Sequence, residues 1–517
     1  MNPFTIRKII ILTCLLTAGI FLSLGIKMTS TKISNRILRA ATAHKSSARS
    51  LDTRRIHSAS DALLLMNLYS PIIDVDNDGN YVPGLASKFY WRNGSLHIEF
   101  KRGFRSVDGK PVGAADALFS LKRLILDKNN THGDTARILC PNWDGKKISD
   151  ECPGLKIIED TLIITPVEEY LGKILIPLLS SPDHRIIPEN SVDPLSLEIT
   201  DFRNTSGAYY VDKDSSDGKI VLRANMTSQL YSEDMPQLIQ MVPYDYNSIV
   251  DLVREDKIDI IGPDFSYMPK MLNNLFEDHN DFTIFATEPI KVSTIFFNLK
   301  AMHDFTPEER AYAAFKFVEN RRKQNIVNYG SQNTMQFFQF ASAGSLTTDQ
   351  LEQIEKMRLD AADYGQKFHP KRKMEFLASK SLIKNWGNFF DINSYFEPYL
   401  LDKGYLSYAP EDRPGDVFSG VTDVAFDTDY SLLSYNFSQL NFGLSAHEGK
   451  MWLDAFIKEK SPERSLALVN ELHFSFLKKV AMYPHSVSPY TVIHKKDIRV
   501  EMTRLSATYN LWQVKMN

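Results

Sequence analysis

What this sequence lacks removes several function classes. It has 3 cysteines in 517 residues, too few for a disulfide framework or a cysteine-rich metal module. Neither charge sign dominates: 60 Lys and Arg face 63 Asp and Glu, a formal charge of −3. No basic stripe is interleaved with aromatics, so a nucleic-acid partner is not expected. The nucleophile-elbow pattern G-x-S-x-G does not occur. His447 opens HEGKM, which lacks the second histidine of a zinc helix, and 443–450 has one residue too many for a phosphate loop. The 12 histidines, His303 and His485 among them, show no metal-ligand spacing. No enzyme, metal or cofactor is therefore expected.

Long apolar runs are also scarce. The prominent one, 9–26, follows Arg7 and Lys8 and is closed by Lys27. That order of charge, apolar run and charge is an export signal. The other reading is an uncleaved membrane anchor, since 18 residues nearly suffice to span a bilayer. Lys27, Lys32, Arg36 and Arg39 put more positive charge after the run than before it, against the usual orientation rule. Cys14 has too short an apolar lead to be a lipidation cysteine, and Ala41-Thr42-Ala43 lies too far downstream for cleavage. The triplet is better placed in a first strand, 37–43, with the mature N-terminus upstream of it. Outside this segment stand only Cys140 and Cys152, in CPNWDGKKISDEC, where the Gly145 turn suits a short disulfide loop in an oxidising compartment. Two free thiols are the alternative.

The length calls for two or three domains. The most informative stretch is 68–123. Asp76-Asn77-Asp78-Gly79 is a turn cluster. Asn93-Gly94 separates two strand-like runs and is a strong hairpin signal. Leu96, Ile98 and Phe100 alternate with His97 and Glu99, giving a strand with one apolar face. A helix follows over 114–126, its stripe made by Ala117, Leu118, Leu121, Leu124 and Ile125.

The order of residues in this stretch is specific. Leu68-Tyr69-Ser70-Pro71, Gly79, Pro83, Leu85-Ala86, Phe100, Gly103-Phe104, Asp108-Gly109-Lys110-Pro111-Val112, Ala115-Asp116 and Phe119-Ser120-Leu121 stand in one register. This pattern resembles the signature region of the family 5 extracytoplasmic solute-binding proteins, the peptide- and nickel-type receptors of ABC importers. Thr205-Ser206-Gly207-Ala208-Tyr209, the run 219–225, Lys257-Ile258-Asp259-Ile260 and Phe296-Phe297-Asn298 continue it. Arg310, Ala311 and Ala314 can fill the positions of a family helix, with Pro307 at its start. Met482-Tyr483-Pro484 resembles the closing segment. The resemblance covers roughly 36–325 and 420–517; 331–410 is the least informative part.

The resemblance implies an α/β, bilobal periplasmic-binding-protein type II fold with an additional domain inserted in the first lobe. On that pattern residues 1–35 are signal or anchor. Lobe I combines 36–59, 195–291 and 485–517, the extra domain is 60–194, and lobe II is 292–484. It implies a monomer in the periplasm that closes over a peptide or similar small solute and delivers it to an inner-membrane ABC transporter permease. In peptide-binding relatives an aspartate near an Asp-Tyr pair meets the ligand's α-amino group. Asp429 and Tyr430 take those places, with Phe426 where a tryptophan is usual and Asp427 two positions before Asp429. A carboxylate removed from water is a strong, charge-assisted partner for an ammonium. The segment is three residues short before Phe426, and Ser431-Leu432-Leu433 replaces the usual continuation, so exposed loop charges remain the alternative. Ser47 and Ala48 correspond to the first-lobe segment lining the cleft. A second functional reading is a membrane-tethered sensor or interaction protein that keeps the fold without peptide transport.

Overall fold

A computed structural model describes residues 36–42, 51–56, 59–76, 80–127, 135, 138–140, 147–167, 171–216, 219–244, 248–262, 281–324, 328–339, 344–367, 370–378, 383, 389–392, 395–401, 414–422, 443–501 and 509–516. The apolar run 9–26 lies outside them; among the described residues no helix is long and apolar enough to cross a membrane.

Two long strands organise the chain. Strand β12, Phe282–Phe297, and strand β17, Met482–Lys495, pair antiparallel along nearly their whole length, from Phe282 opposite Lys495 to Phe296 opposite Met482. Each belongs to two half-sheets. On the Phe282 side β11 (Ile260–Ile261) joins β17, followed outward by β1 (Leu38–Thr42), β10 (Leu238–Pro243), β9 (Val221–Ala224) and β8 (Tyr209–Val211). On the Phe297 side β16 (Val417–Thr422) joins β12, followed by β14 (Met374–Ala378) and β15 (Phe396–Leu400), while β13 (Gln332–Asn333) pairs with β17. β1 is parallel to both β10 and β11, and β14 is parallel to both β15 and β16. The strands buried on both faces read as apolar runs, as parallel sheets require. Ile295, Phe297, Ile260 and Val492 are fully buried.

The stretch 68–123 folds as its local chemistry dictates, beginning with the antiparallel pair β2 (Ile73–Val75) and β3 (Tyr81–Pro83). β4 (Ala86–Arg92) and β5 (Ser95–Phe100) form a hairpin whose two turn residues, Asn93 and Gly94, have φ of 51° and 74°. Positive φ at both positions matches the strand twist and favours this dipeptide. β6 (Leu155–Ile158) and β7 (Thr161–Ile164) complete a separate four-stranded sheet in the order β4-β5-β7-β6. Helix Ala114–Ile125 covers it, burying Ala114, Ala117 and Leu121 against Leu96, Ile98, Leu162 and Ile164. Cys140 and Cys152 are bonded beside this core, both buried, with Cα atoms 6.0 Å apart.

Two motifs read separately in the sequence meet here. The Ser70 backbone N–H donates to Ser206 Oγ at 3.0 Å, and Ser70 Oγ donates to the Ser206 carbonyl at 2.8 Å. Asn67 Oδ1 accepts from the Leu511 N–H at 2.8 Å, so the end of the chain packs on helix Ala59–Leu68. In the other half-sheet, helix Pro307–Lys323 starts at a Thr306–Glu309 capping box. Its Arg310 is buried and donates to the carbonyls of Val480 and Lys479 at 3.1 and 2.6 Å, fixing the turn that feeds β17. Helix Thr348–Asp363 occupies the stretch that sequence reading found least informative; its own capping box, Thr347 with Gln350, was the available signal. Residues 446–478 form two helices, Ala446–Lys458 and Pro462–Lys478, the second capped by Ser461.

Candidate functional site

The strand directions define where a ligand would sit. β11 runs antiparallel to β17, with Ile260 opposite His494 and Ile261 opposite Ile493, so its carboxyl end points toward the middle of the crossover pair. β1 is parallel to β11 and ends on the same side. β16 runs antiparallel to β12, from Val417 opposite Phe297 to Thr422 opposite Val292, so its carboxyl end points toward the same middle from the other half-sheet. Open α/β sheets bind ligands beyond the carboxyl ends of their strands. Two such edges here face one another across the crossover.

The crossover is itself irregular at that point. Its register shifts between Ala286 and Pro289, and again between Pro289 and Lys291, and Pro289 stands opposite Pro489. Proline has no N–H for the ladder, so the pairing is thinnest between the half-sheets. Around it lies a row of buried polar side chains: Lys291, Ser293, Thr294, Ser488 and Thr491. The Lys291 ammonium sits 5.1 Å from the centre of the Tyr490 ring, a cation–π contact. Immediately after β11, Gly262 has φ of 135°, and a Cβ there would lie 2.8 Å from the Thr491 carbonyl oxygen. Only glycine lets the chain leave β11 so close to β17.

Each half-sheet is pinned to the crossover by a buried carboxylate. Asp259 has no side-chain exposure and accepts from Arg39 N–H and Nε, both at 2.9 Å, and from the Lys495 ammonium at 3.1 Å. Burial by itself would raise this carboxyl, but the Arg39 hydrogen bonds and Lys495 outweigh it and hold its pKa at about 2. This links β1, the entry to β11 and the end of β17. In the other half Asp416, equally buried, accepts from Arg372 at 2.8 Å and from the Glu375 N–H at 2.8 Å. Its carbonyl accepts from the N–H of Asn298, which closes β12 and caps helix Leu299–Asp304 through its side chain.

In the sequence, the candidate residues come after the strands that end at these edges. Ser47 and Ala48 follow the carboxyl end of β1 at Thr42; Phe426, Asp427, Asp429 and Tyr430 follow that of β16 at Thr422. All six lie outside the described residues. Sequence reading missed the polar row and the facing prolines. Their signal was Pro289 and Pro489 standing inside strand-like runs, ATEPIKVS and SVSPYTV, where proline ordinarily marks an edge or a bulge.

Comparison with known proteins follows the same lines. No family model matches the chain. Over 215 residues it is 26% identical to the periplasmic oligopeptide-binding protein OppA of Salmonella typhimurium and 27% identical to that of Escherichia coli. The matched region is 38% of this chain and 37% of either relative's length. Among solved structures, the Escherichia coli murein tripeptide binding protein MppA superposes with a TM-score of 0.71 at 15% identity, covering 93% of this chain and 98% of that one. NikA of Brucella suis gives 0.72 at 11% identity, over 93% and 100%. In sequence and fold, the chain resembles the family 5 solute-binding proteins. The solute-binding fold accounts for the two half-sheets as lobes and for the paired strands as their connection. The relatives matched carry the names of binding proteins rather than of enzymes.

Proposed function

We propose that the chain captures a peptide or similar small solute between its lobes, outside the inner membrane, and delivers it to an ABC importer. The observation that carries this reading is the convergence of β1 and β11 from one lobe, and of β16 from the other, on the proline-interrupted crossover. A ligand at that point touches both lobes, and closing them removes it from water. In this reading lobe I comprises 36–59, 195–291 and 485–517, lobe II comprises 292–484, and 60–194 is an extra domain on lobe I. The β4-β5-β7-β6 sheet, separate from the large one, supports the last assignment.

In this reading Asp429 supplies a carboxylate for the ligand's ammonium, and Tyr430, Phe426, Asp427, Ser47 and Ala48 are the other candidate ligand residues. The names of the similar proteins, an oligopeptide-binding and a murein tripeptide binding protein, support a peptide. The experiment is native mass spectrometry of the protein isolated from its own periplasm. A co-purifying peptide is the expected result. A metal chelate in its place would reassign the ligand, and an empty protein that also fails to bind a peptide library would end the transport reading.

A further inference from the structure

Where β17 meets helices Pro307–Lys323 and Thr348–Asp363, three buried side-chain nitrogens lack a hydrogen-bond partner. His485 of β17 is 7% exposed, and its Nε2 is buried with no hydrogen-bond partner. Arg358 lays its guanidinium 4.1 Å from the centre of the Tyr483 ring and donates to the carbonyls of Thr334 and Pro484 at 3.2 and 2.7 Å. Its Nε remains buried and unpartnered. Gln324, at the end of the first helix, has a third such nitrogen, Nε2. Arg321 and Arg322 belong to the last turn of that helix, and with Arg358 they act on the His485 ring. Arg321 is half-buried, its guanidinium 5.8 Å from the Phe317 ring centre; Arg322 is exposed and donates to Asn333 of β13. Among the described residues neither Arg322 nor Arg358 is in an ion pair.

Ordinary helix electrostatics explains part of this. Cations in a last turn complement the helix dipole, which accounts for Arg321, Arg322 and Lys323. It does not account for Arg358 Nε and His485 Nε2, which come from other elements and are buried without a hydrogen-bond partner. Burial, followed by the three guanidiniums, holds the His485 ring neutral well below its ordinary pKa, so one ring nitrogen is free to donate. The cluster grades from an exposed arginine to a buried imidazole, as an accessible site with a polar floor would.

We propose that Arg322 and Arg358, with His485 Nε2 at the base, bind a small oxyanion: a phosphate, sulfate or carboxylate group. The guanidinium fork matches two oxygens of such a group, and an N–H from the floor meets a third or bridges. The anion comes from one of two sources, a free inorganic ion or the carboxylate of a captured solute. The site borders the crossover: β13, which holds Arg322 through Asn333, pairs with Ser486 and Val487, just short of Pro489.

Isothermal titration of the mature protein in low-salt buffer tests this, using inorganic phosphate and sulfate in one arm and Ala-Ala-Ala against its C-terminal amide in the other. The variants are Arg322→Gln, His485→Phe and, as a charge-matched control, Lys323→Gln, whose ammonium pairs with Glu319. Saturable phosphate or sulfate binding, weakened at least fivefold by Arg322→Gln and His485→Phe but less than twofold by Lys323→Gln, is the expected result for an inorganic ion. If instead the acid binds at least fivefold tighter than the amide, and Arg322→Gln alone erases that ratio, the anion is the solute's carboxylate. Thermal melts without anion control for folding; should His485→Phe not fold, the exposed Arg322 carries the test. Silence of phosphate and sulfate, together with no tripeptide binding or an unchanged acid-to-amide ratio in Arg322→Gln, overturns the proposal. So does equal weakening by Lys323→Gln. Tripeptide failure with phosphate binding intact would count against the solute reading and leave the anion site standing.

Discussion

Pro289 of β12 lies opposite Pro489 of β17, at the point where the paired strands pass from one half-sheet to the other. Neither can donate to the ladder, and the Pro489 ring packs beside Gly330, where a Cβ would come within 3.0 Å of it. The paired strands thus lose ladder hydrogen bonds at this point, between register shifts on either side of Pro289, with a further shift between Ser293 and Thr294. In a two-lobed protein that break is the natural hinge, because φ and ψ can change there with few bonds lost.

The hinge makes a prediction about exchange. Amide hydrogens of 286–291 and 487–491 should exchange faster than those of 292–297 and 482–486; 487–491 are as buried as 482–486, whereas 286–290 are exposed or half-buried. Replacing Pro489 with alanine should slow exchange at its neighbours by restoring a donor. Hydrogen–deuterium exchange read by mass spectrometry decides it; uniform protection along both strands would place the hinge elsewhere.

Asp259 should be a stability determinant of the first lobe. Removing one member of a buried ion pair leaves its partners' charge uncompensated, at about 3–5 kcal/mol, so Asp259→Asn should lower the urea midpoint strongly. The pH dependence has a definite sign. A carboxyl held at about 2, below its ordinary value of 3.8, contributes stability that is whole above pH 4. That contribution is lost as pH falls toward 2, by about 2 kcal/mol. Chemical denaturation of wild type and variant across this window should show the difference narrowing as pH drops.

His473 gives an independent pH effect in the second lobe. It is fully buried on helix Pro462–Lys478, accepts from the Phe337 N–H at 2.9 Å and bonds the Gly344 carbonyl at 2.7 Å, which requires the neutral ring. Burial, only partly opposed by the Gly344 carbonyl, pushes its pKa down to about 4. The unfolded chain therefore binds the extra proton below about pH 6.5, and stability should fall between pH 6.5 and 4 by on the order of 3 kcal/mol. His473→Leu removes that slope and costs stability at pH 7, since two buried backbone groups lose their partner. An unchanged slope in the variant would assign the pH effect to other groups.

The ligand prediction rests on Asp429. Truncating one member of a desolvated charge pair costs about 2–5 kcal/mol, so Asp429→Ala should raise the dissociation constant for a free-amine peptide at least tenfold. An N-acetylated peptide should bind wild type as weakly as the free peptide binds the variant. Asp427→Ala, two positions away, should have little effect. Calorimetry showing equal affinity for wild type and Asp429→Ala would remove that residue from the site, and a loss confined to Asp427→Ala would move the register.

Local chemistry made part of this molecule legible in advance. The Asn93-Gly94 hairpin, the strand alternation at Leu96 and Ile98, the helix over Ala114–Ile125 and the Pro307 helix start all rest on neighbours in the chain. The residue order of 68–123 resembled one family, and the fold agrees with it.

Relationships between distant segments were decided only by the tertiary structure. Pairing of β12 with β17 joins residues about two hundred positions apart, and nothing in either run marks the other as its partner. Asp259 looked like one more residue of a strand motif; burial against Arg39 and Lys495 makes it an anchor. His485 was one of 12 scattered histidines until β17 carried it between two arginine-bearing helices. Period and turn chemistry act over a few residues and are written in the sequence. Which polar groups lose water, and which charges then face one another, follows from how separate elements pack.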